Sequence, residues 1–225
     1  SKFDLIQKYG ELVKSKICVI PNSFNLNNFD INLDVNLTKQ ILFKKYNIPL
    51  SNLDKNVLLN VGSDETRKNL TILLTSLSNL DDYIFIKIGK PQVVDNRVKN
   101  LKLIKKLNLN VFFLEGLTDT EVIEFYKISN LFVMPSLKEG FGRPIIESQA
   151  SELPVLASDI NIFREICGDS VMYIKNFKSS SDWFNCITVF FQNNDNNNFK
   201  LLGLNNSKKY DVNLNYKLFM NLLLK

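Results

Sequence analysis

Two carboxylates eight positions apart, Glu139 and Glu147, bracket the segment EGFGRPIIE, and a guanidinium and an ammonium, Arg67 and Lys68, stand side by side in GSDETRKN. The chain contains no histidine. That excludes the commonest general base, the Ser-His-Asp and Cys-His arrangements and most catalytic metal sites. Cys18, Cys167 and Cys186 are odd in number and widely separated, so they assemble neither a disulfide framework nor a zinc site and read as reduced, mostly core cysteines of a cytosolic protein. Any chemistry must therefore run on carboxylates, cations and backbone.

Arg67 and Lys68 stand just before a helical pattern. A helix N-terminus offers unpaired N–H groups and about half a positive charge, and two added cations make it a seat for phosphates. The alternative is a solvated pair beside Asp64 and Glu65. Gly140 and Gly142 admit backbone conformations closed to other residues and let a ligand approach the main chain, or they simply make a turn. Glu139 ends a loop, whereas Glu147 lies about one turn into a helix begun at Pro144, a residue suited to a first turn because its missing N–H costs nothing there. Both acids can look toward one crevice while touching different parts of an elongated ligand. A glycosidase pair, about 5 to 9 Å apart across a single bond, is compatible with this spacing without being implied by it. A surface acid and a helix-capping acid remain the plainer alternative.

The elements that would position these groups are legible from periodicity. Apolar runs at 17–20, 57–61, 83–88, 111–114, 131–134, 154–157 and 171–174 predict strands. Helical patterns fall at 69–80, 93–107, 119–129, 144–152 and 182–192, the clearest being the Leu70, Leu73, Leu74, Leu77 face. Asp119 is the expected N-cap of its helix. Continuously apolar strands alternating with helices predict an α/β fold, a Rossmann-like parallel sheet with helices on both faces. Ligands of such sheets bind in the loops beyond the carboxyl ends of the strands. GSDETRKN and PSLKEGFGR are two such loops.

Three regions are expected: a leader over 1–55 with a strand, a loop and the helical LTKQILFKKY; a sheet domain over 56–180; and a helical tail over 181–225, in which the Asn-rich QNNDNNNF reads as a mobile loop. At 225 residues and 45% hydrophobic content the chain can bury a sizeable core. No apolar run approaches the roughly 20 residues of a bilayer span. The first residues, SKFDLIQKYG, lack the apolar region of a signal peptide and do not start with Met, so the sequence reads as a trimmed or excised piece. A net charge of +5 and a pI near 9.0 would suit nucleic acid or anionic lipid, but Lys and Arg are scattered with no basic stripe interleaved with aromatics, which argues against nucleic acid.

EGFGRPIIE resembles the E-x7-E segment of the retaining glycosyltransferases of family four, the glycosyl transferases group 1, and the likeness continues into SQASELPVLASDINIFREICGDSVMYI. CVIPNSFNLNNF is similar to the segment where such chains leave their N-terminal domain, NVGSDETRKNL to the loop that grips the donor diphosphate, and VFFLEGLTDTEVIEFYKISNLFVMPS to the run leading to the motif. Together these landmarks cover residues 17–174.

The resemblance implies the C-terminal, donor-binding half of a GT-B enzyme, with most of the N-terminal domain absent. It implies that Arg67 and Lys68 hold the diphosphate of a nucleotide sugar, UDP- or GDP-linked, and that Glu139 contacts the donor sugar near its reacting carbon. Phe141 and Gly142 would offer backbone groups, Glu147 would bond the ribose, and Gly62, Leu117, Gly140 and Arg143 would complete the donor site. Ser63 stands where many members have Arg, and Arg143 where an apolar residue is common. The implied reaction is hexosyl transfer with retention, in the cytoplasm, with no cofactor and no metal. The acceptor, whether sugar, lipid-linked sugar or protein, is left open, as is a peripheral membrane contact. A catalytically silent nucleotide-sugar-binding module, or one needing a partner chain, is the competing reading; an epimerase or phosphorylase of this architecture would need a histidine or a pyridoxal-phosphate lysine that is not recognisable. The apolar face of KLFMNLLL is expected either to cross back onto the N-terminal domain or to cover the core in its absence.

Overall fold

The computed structural model describes residues 2–193 and 197–224. The leader carries helices α1 (Lys2–Tyr9) and α2 (Val35–Lys45). Strands and helices then alternate: β1 (Asn56–Val61), α3 (Leu70–Ser76), β2 (Tyr83–Ile88), α4 (Val94–Leu107), β3 (Val111–Leu114), α5 (Asp119–Ile128), β4 (Leu131–Met134), α6 (Arg143–Ala150), β5 (Val155–Ser158), α7 (Asn161–Cys167) and β6 (Met172–Ile174). Helices α8 (Ser180–Gln192), α9 (Asn197–Ser207) and α10 (Val212–Leu223) follow.

The six strands form one parallel sheet in the order β3-β2-β1-β4-β5-β6. Alternation of side chains along each strand divides the core in two. Val57, Leu59, Ile84, Ile86, Phe132 and Val155 face α5, α6 and α7 on one side, with Phe24, Phe29, Leu42 and Phe43 of the leader. Leu58, Phe85, Leu131, Val133 and Leu156 face α3 and α8 on the other, with Trp183 and Ile187 at its centre. Burial on both faces explains why the strands read as unbroken apolar runs. The order reverses between β1 and β4, so the chain leaves their carboxyl ends toward opposite faces, α3 on one and α6 on the other. That divergence opens a crevice where open α/β sheets bind ligands.

Several expectations are corrected. Residues 17–20 form no strand, and Val19 and Ile20 are exposed. The leader is tied down further on, by a bridge in which Phe24 N–H donates to the Tyr210 carbonyl at 3.1 Å and Val212 N–H donates to the Phe24 carbonyl at 3.0 Å. The N-cap of α5 is Thr118 rather than Asp119. Its hydroxyl accepts from Glu121 N–H while the Glu121 carboxylate accepts from Thr118 N–H, a reciprocal capping box. In QNNDNNNF, residues 194–196 lie outside the described residues, and Asn197 to Phe199 are the first turn of α9 rather than a loop. Helices α1 and α7 were not expected, whereas α9 falls within the helical tail expected over 181–225. The tail does not cover the core with its apolar face: Leu218, Phe219, Leu222 and Leu223 are exposed, and Asn215 is the buried residue of α10.

Candidate functional site

The loop after β1 runs over 62–69, closing with a single 3-10 turn, Thr66–Lys68, and a left-handed Asn69 before α3. The loop after β4 runs over 135–142 to α6, which has Pro144 in its first turn. The two are joined where Leu137 N–H donates to the Arg67 carbonyl at 2.7 Å. That bond places Arg67 and Lys68 opposite Glu139. Arg67 Nη1 lies 2.8 Å from Glu139 Oε2 and Lys68 Nζ lies 2.7 Å from Oε1. Ser136 Oγ donates to Oε1 at 2.7 Å. Only 7% of the Glu139 side chain is exposed, against 43% for Arg67. Arg67 also reaches Glu65 Oε2 at 2.5 Å. Burial pulls the Arg67 pKa down, but the carboxylates of Glu139 and Glu65 outweigh it and the net shift is upward. The cluster thus holds two cations aimed at one carboxylate of the facing loop, a geometry equally suited to an anionic ligand.

Glu147 sits elsewhere. One turn into α6, it lines a cavity of about 290 Å³ with Phe24, Asn25 and Phe29 of the leader and with Val61, Tyr126 and Arg143. It accepts from the Tyr126 hydroxyl at 3.2 Å and pairs with Arg143 at 3.2 Å. Burial pushes the Glu147 carboxyl above its ordinary range, against the opposing pull of Arg143 and Tyr126. The Tyr126 phenol, buried and beside that carboxylate, is pushed well above its own.

The remaining candidates divide between these places and a third. Gly140 and Phe141 line a cavity of about 390 Å³ with Pro21, Asn22, Ile162 and Tyr210, and the Phe141 ring stands edge-on to Tyr210 at 5.4 Å. Gly142 links the two acids. Its φ of 100° and the Phe163 ring, whose nearest atom would lie 2.8 Å from a Cβ, leave room for glycine alone. Gly62 lies under Lys68, whose Nζ would be 3.6 Å from a Cβ at that position. Leu117, in the β3–α5 connection, packs on the larger core cluster. Arg143 is largely exposed. A cavity of about 430 Å³ opens at the amino ends of β1, β4 and β5, beside Asn56, Asn130 and Pro154, and shares Tyr126 with the Glu147 cavity.

The family model for glycosyl transferases group 1 matches residues 43–200. The chain belongs to that family. This group 1 glycosyltransferase chain is 33% identical over 118 residues to the serotype-specific mannosyltransferase WbdA of Escherichia coli, a match covering 50% of the chain and 14% of the relative. It is 29% identical over 175 residues to the O-antigen chain mannosyltransferase RfbU of Salmonella typhimurium, covering 76% of the chain and 43% of the relative. The chain thus spans less than half the length of these curated relatives. A crystal structure of Anabaena Alr3699/HepE in complex with UDP and glucose superposes with a TM-score of 0.82 at 20% identity, covering all of this chain and 61% of that one. The sheet and its helices have the Rossmann-like fold of GT-B glycosyltransferases.

Sequence reasoning placed Glu65 beside Arg67 and missed Ser136 and Tyr126 as partners of the key groups. It also missed the leader residues that wall the Glu147 cavity. The repeated Phe and Asn residues of CVIPNSFNLNNF were the available signal. Among the described residues, no group of three or more His, Cys, Asp or Glu side chains is disposed to hold a metal ion. No helix among them is long and apolar enough to cross a membrane.

Proposed function

We propose that the chain is the donor-binding domain of a retaining glycosyltransferase that moves a hexosyl group from a nucleoside-diphosphate sugar to a saccharide-bearing acceptor. The observation that carries this reading is the convergence of Arg67 and Lys68 on Glu139 at the point where the strand order reverses. On donor binding, the diphosphate takes the place of Glu139 between the two cations, and the released carboxylate faces the sugar ring. As the bond from the anomeric carbon to the phosphate oxygen breaks, negative charge grows on the diphosphate beside Arg67 and Lys68, and positive charge grows on the ring beside Glu139. The acceptor oxygen bonds to the same face of that carbon, and its proton passes to the departing phosphate. Such preorganised charges are typically the largest catalytic term.

Glu147, with a raised pKa and a hydroxyl partner, is suited to accept hydrogen bonds from a ribose held in the 290 Å³ cavity. The mannosyl transfer named for the relatives and the UDP and glucose bound by the structural neighbour support a hexose carried on a nucleoside diphosphate. The two cations supply the charge that the leaving group needs, so the reading invokes no metal and no cofactor. A cytoplasmic location fits a nucleotide-sugar donor and three unpaired cysteines. Because positioning of the acceptor contributes roughly 7 to 11 kcal/mol in well-oriented reactions and the chain spans less than half the length of its curated relatives, the chain alone is expected to bind donor without efficient transfer.

Calorimetric titration with UDP, GDP, ADP and their common hexose conjugates tests the reading. Binding of one nucleoside diphosphate, lost when Arg67 and Lys68 are both changed to Ala, supports it. No binding of any, or binding indifferent to that double change, overturns it.

A further inference from the structure

Beneath the loop after β1 lies a second set of charges that the proposed reaction does not use. Lys87, on the interior strand β2, is fully buried in the run YIFIKI. Its ammonium donates to the Gly62 carbonyl and, at 3.1 Å, to the Ile88 carbonyl. It stands 3.7 Å from Asp64 Oδ1, also fully buried. Asp64 is gripped in turn by Arg97 of α4, which donates to its Oδ2 and reaches the Gly89 carbonyl at 3.1 Å and Glu115 at 2.8 Å. The neighbouring Asn96 donates to the Asp64 carbonyl at 2.8 Å and to Thr66 Oγ1 at 3.2 Å.

The backbone is fitted to this arrangement. Gly89 lies so close to the Gly62 carbonyl that a Cβ there would meet the oxygen at 2.0 Å. The Gly62–Ser63 peptide is planar and trans, as the absence of cis bonds requires, so its N–H points opposite to its carbonyl. With the carbonyl turned inward onto Lys87, the Ser63 N–H is directed to the opposite side of the peptide. It has no acceptor among the described residues. A buried ammonium is expensive to desolvate and generally adds no more stability than an apolar side chain of its size. The contacts of Lys87 all fall on the ends of β1 and β2 and the first residues of the phosphate-facing loop, which is where a positioning group would be needed.

We propose that Lys87, held with Asp64 and Arg97, is a positioning residue for the donor diphosphate. From beneath, it fixes the Gly62 carbonyl inward and so presents the Ser63 N–H, beside Arg67 and Lys68, to the phosphates. The inference rests on the reading of Arg67 and Lys68 as the diphosphate site. Burial holds the Lys87 pKa down to about 8, against the attraction of Asp64 and together with the repulsion of Arg97 and Lys68. The clamp is therefore charged below that pH and weakens above it.

The experiment compares the chain with Lys87→Met, using UDP and GDP titrated separately, the matching nucleosides, and pH values from 7 to 9.5. The expected result is a tenfold to hundredfold loss of diphosphate affinity in Lys87→Met with nucleoside affinity unchanged. The parent should bind the diphosphate less well as pH rises through about 8, and the variant should lose that step. The Ser63 amide resonance should move on adding the diphosphate to the parent and stay in place in the variant. A folded Lys87→Met that binds the diphosphate within twofold of the parent, with the same pH profile, overturns the clamp. Should Lys87→Met not fold, Asn96→Ala decides. It removes two bonds to the same loop and is expected to weaken diphosphate binding threefold to tenfold; no change overturns the proposal. If the parent binds no nucleoside diphosphate, the reading of the site falls and the clamp with it. If Arg67→Ala/Lys68→Ala abolishes binding while Lys87→Met does not alter it, the clamp alone falls.

Discussion

The two acids of EGFGRPIIE occupy opposite kinds of surroundings. Glu139 is held by two cations and a hydroxyl, all from the two loops at the reversal of strand order. Glu147 has one neutral partner, one exposed cation and a wall shared between the leader and α5. The first is a saturated ion cluster whose carboxylate can be exchanged for another anion. The second is a carboxyl reluctant to ionise, facing a cavity that can admit a neutral polar group. The same residue type therefore has two different chemistries, set by what the fold brings opposite each.

The largest test of this contrast is Glu139→Gln. In a protein that includes the opposing domain, turnover should fall on the order of 10² to 10³ because the charge facing the reacting carbon is gone. Affinity for a bare nucleoside diphosphate should rise instead, since the two cations no longer have a carboxylate to give up. Initial rates and calorimetry on the one variant read both effects, and a fall in diphosphate affinity would break the exchange picture. Changing Arg67 and Lys68 together to Ala should weaken diphosphate binding by about 2 to 4 kcal/mol, in line with the loss of charge-assisted bonds, and leave nucleoside binding nearly intact. Equal losses for the two ligands would mean that the loop had collapsed.

At the other acid, Glu147→Ala should weaken both nucleoside and nucleoside diphosphate by about 1 to 3 kcal/mol. Its companion Glu147→Gln carries a pH signature. The folded carboxyl has a raised pKa, so the folded state binds more protons than the unfolded one between the ordinary carboxyl value and the raised one. Stability consequently falls as pH rises through that window. Glu147→Gln should melt above the parent at pH 7, with the gap closing as pH falls below about 4. A parent that melted above the variant at neutral pH would mean that the ionised carboxylate is stabilised in place. The smallest effect belongs to Thr118→Ala, which removes the capping box of the helix that carries Val122, Ile123 and Tyr126 to the Glu147 cavity. About 1 kcal/mol of stability should be lost, with diphosphate binding unaffected, as a denaturant melt and a titration would show.

The sheet was readable because its strands are buried on both faces. That condition writes itself into the sequence as apolar runs such as VLLNV and YIFIKI, and the lone Lys87 inside the second run was visible but carried no sign of its purpose. The leader was misread at 17–20 for a complementary reason. Apolar composition specifies a strand only where a free edge exists to pair with, and the leader is anchored instead through Phe24 to the backbone beside Tyr210. The cap at Thr118 was displaced by one residue because two adjacent polar residues both suit the position. Only the reciprocal bond from Glu121 selects between them.

By itself the sequence determined the α/β class, the strand-to-helix alternation, the two loops that hold the candidate site and the family to which the chain belongs. All of these are properties of local spacing and residue type. Which groups meet was decided only by the tertiary structure. Arg67 and Glu139 are 72 residues apart, Lys87 and Gly62 are 25 apart, and Glu147 meets Tyr126 across 21. Each of these contacts exists because the strand order reverses between β1 and β4 or because β2 lies against β1. Parallel pairing is fixed by how faces and crossovers pack together, so no local stretch of the chain encodes it.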